Sequence, residues 1–218
     1  MPPSPLRGRR VLITAGPTRE HLDPIRFLSN ASSGAMGFAL AGAARALGAD
    51  VTVVLGPTTL RPPRGVAIVS VVTALEMRRE TLKRSRAAAL VIGAAAVSDW
   101  RFLDKTTSKH KLKRRPGPLR LTLIPNPDII KEAASRRRPG QVFVGFALET
   151  RRAVEHALEK LTGKGLDLVV ANGPSNLSSG RARATLVARA FARPIPEGSK
   201  ARVARVIVAE AVRLLLER

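Results

Sequence analysis

The sequence contains no cysteine and no tyrosine, and aromatic residues make up only 3% of it. Without cysteine, the chain has neither a disulfide framework nor a thiolate metal site, and its composition fits a reducing cytoplasm. Few aromatic side chains leave few platforms on which nucleic-acid bases could stack. The three histidines, His21, His110 and His156, are scattered and lack the spacing of metal ligands.

Long apolar runs are also absent. No run reaches the roughly 18 residues that a membrane-spanning helix needs. Residues 1–9 are rich in proline and arginine and lack the apolar core of a signal peptide, so we predict a short disordered lead-in. The remainder, 10–218, is predicted to be a single domain, because 218 residues of which 44% are hydrophobic can bury one large core.

Basic residues greatly outnumber acidic ones. The chain has 38 Lys and Arg against 16 Asp and Glu, which gives a formal net charge of +22. Such a charge attracts polyanions, and a nucleic-acid-binding module is therefore one alternative. The basic residues are spread along the chain, however, and a small polyanionic substrate would use the same field.

Apolar strand patterns alternate with helical patterns along the chain. Thr73 and Glu76 have the spacing of a capping box before one of the helices. Strands are predicted at 10–15, 50–55, 66–72, 88–96, 119–124, 142–146 and 166–171, and helices at 34–47, 74–86, 150–161 and 201–217. Residues 184–195 alternate in a way typical of an antiparallel edge pair, and 105–118 are predicted to form a mobile loop. The fold class is therefore α/β, a Rossmann-like parallel sheet flanked by helices, with an additional antiparallel strand or dimerisation element.

Small and hydroxyl residues lie between the first strand and the first helix. Gly16 ends the strand, and Ser32, Ser33 and Gly34 precede the helix. Free N–H groups at a helix start bind anions, although the same serines would also serve as ordinary helix caps. The segment lacks a GxGxxG pattern, and the second strand ends without an acidic residue. Both absences count against a nicotinamide-dependent reductase, which stays a weaker alternative.

Small residues also follow the strand predicted at 88–96. They let a ligand approach the backbone, and Asp99 could accept from a sugar hydroxyl or hold a cation through water. An Asx turn is the alternative interpretation of Asp99. Trp100, the only tryptophan, is predicted to pack rather than to stack on a ligand.

Two further groups of basic residues could reach phosphates. The run 109–115 lies on a loop flanked by glycine and proline, where it is either a solvated surface or a lid that carries lysine onto a ligand. Lys160 and Lys164 are four residues apart and share a helix face if the helix continues to Gly163. Taken singly, each would be an ordinary surface lysine.

Six ordered motifs resemble one family. They are VLITAGPTREHLDPIRFLSNASSGAMG, VIGAAAVSDWR, KHKLKR, NPDII, VGFALET and LDLVVAN, and they span residues 11–172. Together they resemble the phosphopantothenoylcysteine synthetase domain, which many bacteria fuse to a flavin-dependent decarboxylase. The resemblance implies a Rossmann-like homodimer that couples phosphopantothenate to L-cysteine. Bacterial members activate the carboxylate as an acyl-cytidylate with CTP and Mg²⁺ and release pyrophosphate and CMP, whereas animal members prefer ATP.

The resemblance also assigns roles to residues of this chain. The implied catalytic residues are Asn30 and Lys111. The implied nucleotide-binding residues are Gly93, Ala94, Ala95, Asp99, Lys111, Pro127, Asp128, Ile129, Ile130, Phe146, Lys160 and Lys164. The implied substrate-binding residues are Gly16, Arg26, Asn30, Ser32, Ser33, Gly34 and Ala96. No side chain is implied as a direct metal ligand, because Mg²⁺ would arrive on the triphosphate.

Four positions depart from the family pattern. Ala35 stands where many members have a basic residue, Ser98 replaces a common alanine, Gly173 stands where many members have aspartate, and Arg114 replaces a lysine and keeps its charge. The first departure removes a positive charge near the phosphates. A membrane partner is not expected, and a nucleic-acid partner is a minor alternative.

Overall fold

A sheet of eight strands forms the centre of the protein, with the order β12-β11-β10-β9-β6-β1-β4-β5. The computed structural model describes residues 4–114, 116–149, 151–173 and 180–218, apart from the side chain of Lys105. Six neighbouring strands are parallel, while β11 pairs antiparallel with β10 and β12 with β11. Two short antiparallel hairpins, β2–β3 and β7–β8, lie outside this sheet. The predicted α/β class with an added antiparallel pair is confirmed.

The strands are β1 Arg10–Ala15, β2 Arg19–His21, β3 Phe27–Ser29, β4 Asp50–Leu55, β5 Ala67–Ser70, β6 Leu90–Gly93, β7 Trp100–Phe102, β8 Leu123–Pro125, β9 Val142–Leu148, β10 Leu168–Asn172, β11 Arg181–Ala188 and β12 Phe191–Ser199. The helices are α1 Ala35–Ala46, α2 Ala74–Ser85, α3 Ile129–Ser135, α4 Ala153–Gly163 and α5 Lys200–Leu216. Within the described residues, no helix is both long and apolar enough to cross a bilayer.

The central strands are apolar because helices cover both faces of the sheet. Residues of α1 and α5 join the core on one face, and residues of α2, α3 and α4 join the core on the other. The predicted strands 10–15 and 50–55 match β1 and β4 residue for residue. The capping box of α2 is also present, since the Thr73 side chain accepts from Glu76 N and the Glu76 carboxylate accepts from Thr73 N.

Some predicted elements have different ends in the structure, and some observed elements were not predicted. Residues 119–122 are not a strand, and β8 covers only Leu123–Pro125. Helix α4 begins at Ala153, and Thr150 lies outside the described residues. The hairpin β2–β3 was missed because three-residue strands are too short to give an alternating pattern. Helix α3 was missed as well, although Asp128, which caps it, is a helix-start signal.

Cross-links concentrate at the amino ends of the parallel strands. The Asp167 carboxylate accepts from Phe143 N at 2.7 Å and pairs with Arg137 at 3.0 Å and with Arg218. Leu6 is fully buried, and its N–H donates to Leu47 O at 3.0 Å. The prediction of a disordered lead-in is therefore wrong for residues 4–9, because an apolar side chain among the prolines and arginines anchors them; residues 1–3 lie outside the described residues.

The loop that carries the basic run is tied to hairpin β2–β3. Asp23, only 2% exposed, accepts from Ile25 N and Arg26 N within its own turn and from Leu112 N at 3.1 Å. The Arg26 guanidinium donates to Leu112 O at 3.0 Å. Burial alone would raise the pKa of Asp23, but these three N–H groups and the Arg26 charge hold the pKa of Asp23 below its ordinary value. In the described part of the loop, Leu112 is thus fixed on both its N–H and its carbonyl.

Helix α1 approaches strand β1 more closely than a side chain would allow. A Cβ added at Gly37 would lie 3.2 Å from Ala15 Cα and would overlap Ala15 Cβ. Gly34 precedes the helix with φ 79°, a left-handed conformation that glycine adopts without strain. These two glycines place the start of α1 directly over the carboxyl end of β1.

We expect Gly37→Ala to destabilise the protein by about 1–3 kcal/mol, because the new methyl group overpacks the contact with Ala15. Gly42→Ala, in the same helix, is the matched control, since nothing lies within 4 Å of its added Cβ. That substitution should stabilise the protein by about 0.5–1 kcal/mol. Urea denaturation of the two variants measures both effects, and an equal change in the free energy of unfolding would contradict the close approach.

We expect Asp23→Asn to release the basic loop, because the amide nitrogen cannot accept the Leu112 N–H. Tryptic cleavage after Lys111 should become faster, on the order of tenfold, as a charged hydrogen bond is lost. Asp104→Asn is the control, since Asp104 is exposed and its side chain makes no hydrogen bond or ion pair within the described residues. In the unmodified protein, the loop should stay protected until the pH falls through the lowered pKa of Asp23. Equal cleavage rates in both variants would refute the role of Asp23.

Candidate functional site

A cavity of about 530 Å³ lies at the carboxyl ends of the central strands. In a parallel sheet, this edge is where ligands bind. Its walls come from the first loop and the start of α1, the segment after β6, the segment before α3, the ends of β9 and β10, helix α4 and the first residue of α5. The predicted residues among its lining are Asn30, Ser32, Ser33, Gly34, Gly93, Ala94, Ala95, Ala96, Asp99, Pro127, Asp128, Ile129, Ile130, Phe146, Lys160 and Lys164.

The first loop is fastened to the segment after β6 through Asn30. Its Nδ2 donates to Val97 O at 2.9 Å and to Ala96 O at 3.3 Å. Ser32 and Ser33 hydroxyls face the N–H groups of Gly34 and Ala35, both at 3.4 Å. The first loop therefore forms one continuous polar wall with the β6 segment, and the amide hydrogens of Asn30 are engaged by backbone carbonyls.

The segment after β6 is held by hydroxyl groups of the neighbouring strand and loop. Thr14 Oγ1 accepts from Ala95 N at 3.3 Å, and Thr18 Oγ1 accepts from Ser98 N at 2.9 Å. A Cβ at Gly93 would lie 3.1 Å from Ile130, so the small residue there also makes room for α3. The departure at Ser98 has a structural reason, because its hydroxyl donates to Trp100 O at 2.6 Å.

Asp99 does not form the Asx turn within the described residues, and Trp100 is not packed, as the alternative interpretations of the sequence suggested. No hydrogen bond or ion pair of the Asp99 carboxylate is recorded within the described residues, so that carboxylate is available at the cavity. Trp100 is 50% exposed, and the prediction that it packs is wrong. Strands β7 and β8 pair with each other and β7 also contacts β2, yet the indole of Trp100 stays at the surface.

Lys160 of α4 and Lys164, the residue that caps the end of α4, both reach the cavity, and each is held by a carboxylate from another element. Lys160 Nζ donates to Glu149 Oε1 at 2.8 Å, and Lys164 Nζ lies 2.8 Å from Asp128 Oδ2. The helix does continue to Gly163, so both lysines lie on one face as predicted. Their ammonium groups are therefore fixed in direction before any ligand arrives.

Glu149 joins Lys160 to a histidine. His156 Nδ1 lies 3.0 Å from Glu149 Oε2. The hydrogen bond from Lys160 lowers the pKa of Glu149 below its ordinary value; burial opposes this shift, and the bond to His156 adds to it. Because the pKa is depressed in the folded state, the bridge is intact at neutral pH and is lost as the pH falls through that lowered value.

Several further residues of the cavity lining were not predicted from the sequence. Thr14, Thr81, Asn126, Asn172 and Lys200 all border the cavity. Thr81 Oγ1 and Asn172 Oδ1 are buried and have no hydrogen-bond partner within the described residues. Asn172 ends a buried strand at the ligand edge, which was a usable signal, whereas Lys200 in a basic tail gave none.

Three predicted site residues lie outside the lining. Gly16 lies beneath it, where its Cα would be 3.2 Å from a Cβ on Gly34. Arg26 and Lys111 belong to the hairpin and the basic loop, which are tied to each other through Asp23 and Leu112 rather than to the cavity. Part of the loop predicted at 105–118, namely Arg115 and the Lys105 side chain, lies outside the described residues.

A divalent metal would find few protein ligands here. Within the described residues, no group of three or more His, Cys, Asp or Glu side chains could hold a metal ion. Asp99 offers one open carboxylate, and Asp128 is paired with Lys164. This donor set fits Mg²⁺ that is bound mainly by substrate phosphates and water, with at most one carboxylate nearby.

Curated relatives match most of the chain. It is 46% identical over 177 residues to a protein of an unknown prokaryotic organism named cysteine/cysteine sulfinic acid decarboxylase, with 81% of this chain and 49% of that protein covered. It is 46% identical over 170 residues to the coenzyme A biosynthesis bifunctional protein CoaBC of Bacillus subtilis (strain 168), with 78% and 41% covered. The chain thus spans about half the length of the curated relatives it matches.

Solved structures share the fold, and one family model matches nearly the whole chain. The C-terminal domain of a coenzyme A biosynthesis bifunctional protein CoaBC superposes with a TM-score of 0.84 at 34% identity, covering 99% of this chain and 100% of that one. A Cab2 H337A mutant in complex with phosphopantothenate-cysteine has a TM-score of 0.83 at 18% identity, covering 97% and 87%, and shows the fold alone. The family model matches residues 6–215, and the chain belongs to the family of DNA/pantothenate metabolism flavoprotein C-terminal domains.

Proposed function

We propose that this domain is a phosphopantothenate–cysteine ligase of coenzyme A biosynthesis. The observation that carries the proposal is the cavity in which the first loop, the segment after β6, Lys160 of α4 and Lys164 at the end of α4 meet. The family membership and the similarity to CoaBC proteins support it. The curated relatives are about twice as long as this chain, and their activity is extended to it as a proposal.

The proposed reaction has two steps. The phosphopantothenate carboxylate attacks the α-phosphorus of CTP, and the bond from phosphorus to pyrophosphate breaks. The cysteine amine then attacks the acyl carbon and loses a proton, while the bond to CMP breaks. Negative charge accumulates on phosphate oxygens in the first step, and fixed cations and N–H groups are what stabilises it. ATP in place of CTP is the alternative nucleotide.

Lys160 and Lys164 would meet the nucleotide phosphates in this proposal. Their ammonium groups already point along fixed directions, set by Glu149 and Asp128. Such preorganisation lowers the conformational cost of binding a charged group. A polyanion entering the cavity would compete with the two carboxylates for the same ammonium hydrogens.

The first loop would hold phosphopantothenate, and Asn30 would place its acyl group. Asn30 fixes the loop to the carbonyls of Ala96 and Val97. We propose that Gly16 supports this loop from below and that Arg26 and Lys111 act on the substrate and the triphosphate from outside the cavity lining. Mg²⁺ would enter bound to the nucleotide and neutralise charge on the phosphates. Asp99 would be the carboxylate of the cavity lining that is available to it.

A homodimer is part of the proposal. Exposed apolar side chains occur on both small hairpins and at the start of α2, and they include Ile25, Phe27, Leu75, Trp100 and Leu119. Surfaces of this kind on a folded domain are commonly buried against a second copy.

The two other sequence-based alternatives, a nucleic-acid-binding module and a nicotinamide reductase, are less favoured because the family match points to coenzyme A biosynthesis. The cytoplasmic location stays a prediction.

We expect the purified protein to couple phosphopantothenate to L-cysteine when it is given CTP and Mg²⁺. Mass spectrometry should detect the coupled amide, and pyrophosphate should appear only in reactions that contain phosphopantothenate. Parallel reactions with ATP test the choice of nucleotide, and reactions lacking cysteine test whether the acyl-nucleotide accumulates. Absence of the coupled product with both nucleotides would overturn the ligase proposal.

We expect Asn30→Asp to abolish most of the coupling while leaving CTP binding intact. The new carboxylate would face the carbonyl oxygens of Ala96 and Val97, which now accept from the Asn30 amide, and it would repel an anionic acyl-nucleotide. Turnover should fall on the order of 100-fold, whereas the CTP-induced rise in melting temperature should remain. Unchanged turnover in a folded variant would remove Asn30 from the site.

A further inference from the structure

Among the residues that the structure describes, Lys200 differs from the other two lysines of the cavity in having no carboxylate partner. Lys160 and Lys164 each lie 2.8 Å from a carboxylate oxygen. Lys200 also borders the cavity, yet no hydrogen bond or ion pair of its side chain is recorded within the described residues. It is partly buried, and burial lowers the pKa of its ammonium group below the ordinary value. A partly desolvated cation without a counter-charge is unfavourable for the folded protein.

The position of Lys200 in its helix is unfavourable as well. It is the first residue of α5, directly after the capping residue Ser199, which accepts from Arg202 N at 3.2 Å. The amino end of a helix carries a partial positive charge, so cations are disfavoured there and acidic residues are preferred. The first turn of α5 contains no acidic residue. Neither burial nor helix position therefore explains a lysine here.

We infer that Lys200 is a ligand-binding residue of the cavity and that its ammonium binds a phosphate group of a substrate. An entering phosphate would supply the counter-charge that Lys200 lacks in the ligand-free protein. It would also lie within reach of the helix start, where anions are favoured. Two substrates of the proposed reaction carry this chemistry, namely the nucleotide and phosphopantothenate, and the inference rests on that proposed function only for the identity of the phosphate.

The unpartnered polar atoms of the cavity support this inference. Asn172 Oδ1 and Thr81 Oγ1 are buried without partners within the described residues, and both residues border the same cavity as Lys200. Buried polar atoms are usually satisfied, and such exceptions are expected where a ligand or water completes the site. Three polar side chains without a recognised protein partner within the described residues therefore border one cavity.

The test is Lys200→Met, with Lys200→Arg to keep the charge and Lys83→Met as the matched control. Lys83 is an exposed lysine in the last turn of α2 and is not part of the cavity lining. Isothermal titration at about 0.15 M salt would measure the Kd of CTP, inorganic pyrophosphate and phosphopantothenate for each protein, so that ionic strength screens distant charges. Thermal unfolding without ligand is the second readout.

Lys200→Met should weaken the binding of at least one phosphate ligand on the order of 10-fold to 100-fold, as expected for a lost charge-assisted hydrogen bond. The melting temperature of the ligand-free variant should stay the same or rise, because an unfavourable charge is removed. Lys200→Arg should retain most of the affinity, and Lys83→Met should leave every Kd within about twofold. A loss confined to CTP and pyrophosphate would assign Lys200 to the nucleotide, and a loss confined to phosphopantothenate would assign it to that substrate.

Unchanged Kd values in Lys200→Met would overturn the inference, and so would a wild-type protein that binds none of the three ligands. A lowered melting temperature together with unchanged affinity would show that Lys200 is structural. Failure of the proposed function is separate, because it appears as absence of the coupled product in the wild type. Weaker pyrophosphate binding in Lys200→Met would then still support Lys200 as an anion-binding residue.

Discussion

Helix α1 lies directly on strand β1 through Gly37 and Ala15, and the placement of the first loop depends on this contact. Gly37 has no side chain and Ala15 has only a methyl group, so the start of the helix packs closely against the end of the strand. The loop from residue 16 to residue 34 is then directed across the carboxyl edge of the sheet. There, Asn30 ties it to the segment after β6. A larger side chain at Gly37 would lift the helix and separate two walls of the cavity.

Two of the three lysines in the cavity are paired with carboxylates and the third is not paired within the described residues. This difference distinguishes the roles of the lysines. The carboxylates Glu149 and Asp128 neutralise Lys160 and Lys164 respectively, so these two lysines add little unfavourable free energy to the fold. Lys200 has no such partner within the described residues and begins a helix whose dipole opposes it. Proteins commonly retain unfavourable groups of this kind where a ligand compensates them. The high net charge of the chain is therefore less informative than the pairing of individual side chains.

Hydrophobic periodicity predicted the long strands and helices, and the ordered motifs predicted most residues of the cavity lining. The same physical reasons explain which elements and residues were not predicted. Strands such as β1 and β4 are buried on both faces, so their apolar runs end where the strands end. Hairpins β2–β3 and β7–β8 have three-residue strands, too short for any period to appear. Lys111 and Arg26 matched a motif, yet sequence order carries no information on which surface a long loop packs against. Lys200 became visible only when the tertiary structure placed the start of α5 at the cavity.

The cross-links around Asp167 have a mechanical consequence. This carboxylate joins a strand, the arginine after α3 and the last residue of the chain at the amino edge, and Leu6 anchors its segment to Leu47. The opposite edge holds the cavity and is bordered by loops. Local unfolding should therefore be easiest at the loop-bordered edge and rarest at the cross-linked base, so that amide hydrogen exchange slows along each central strand from its carboxyl end to its amino end. The loops around the cavity could then move while the amino edge of the sheet stays rigid.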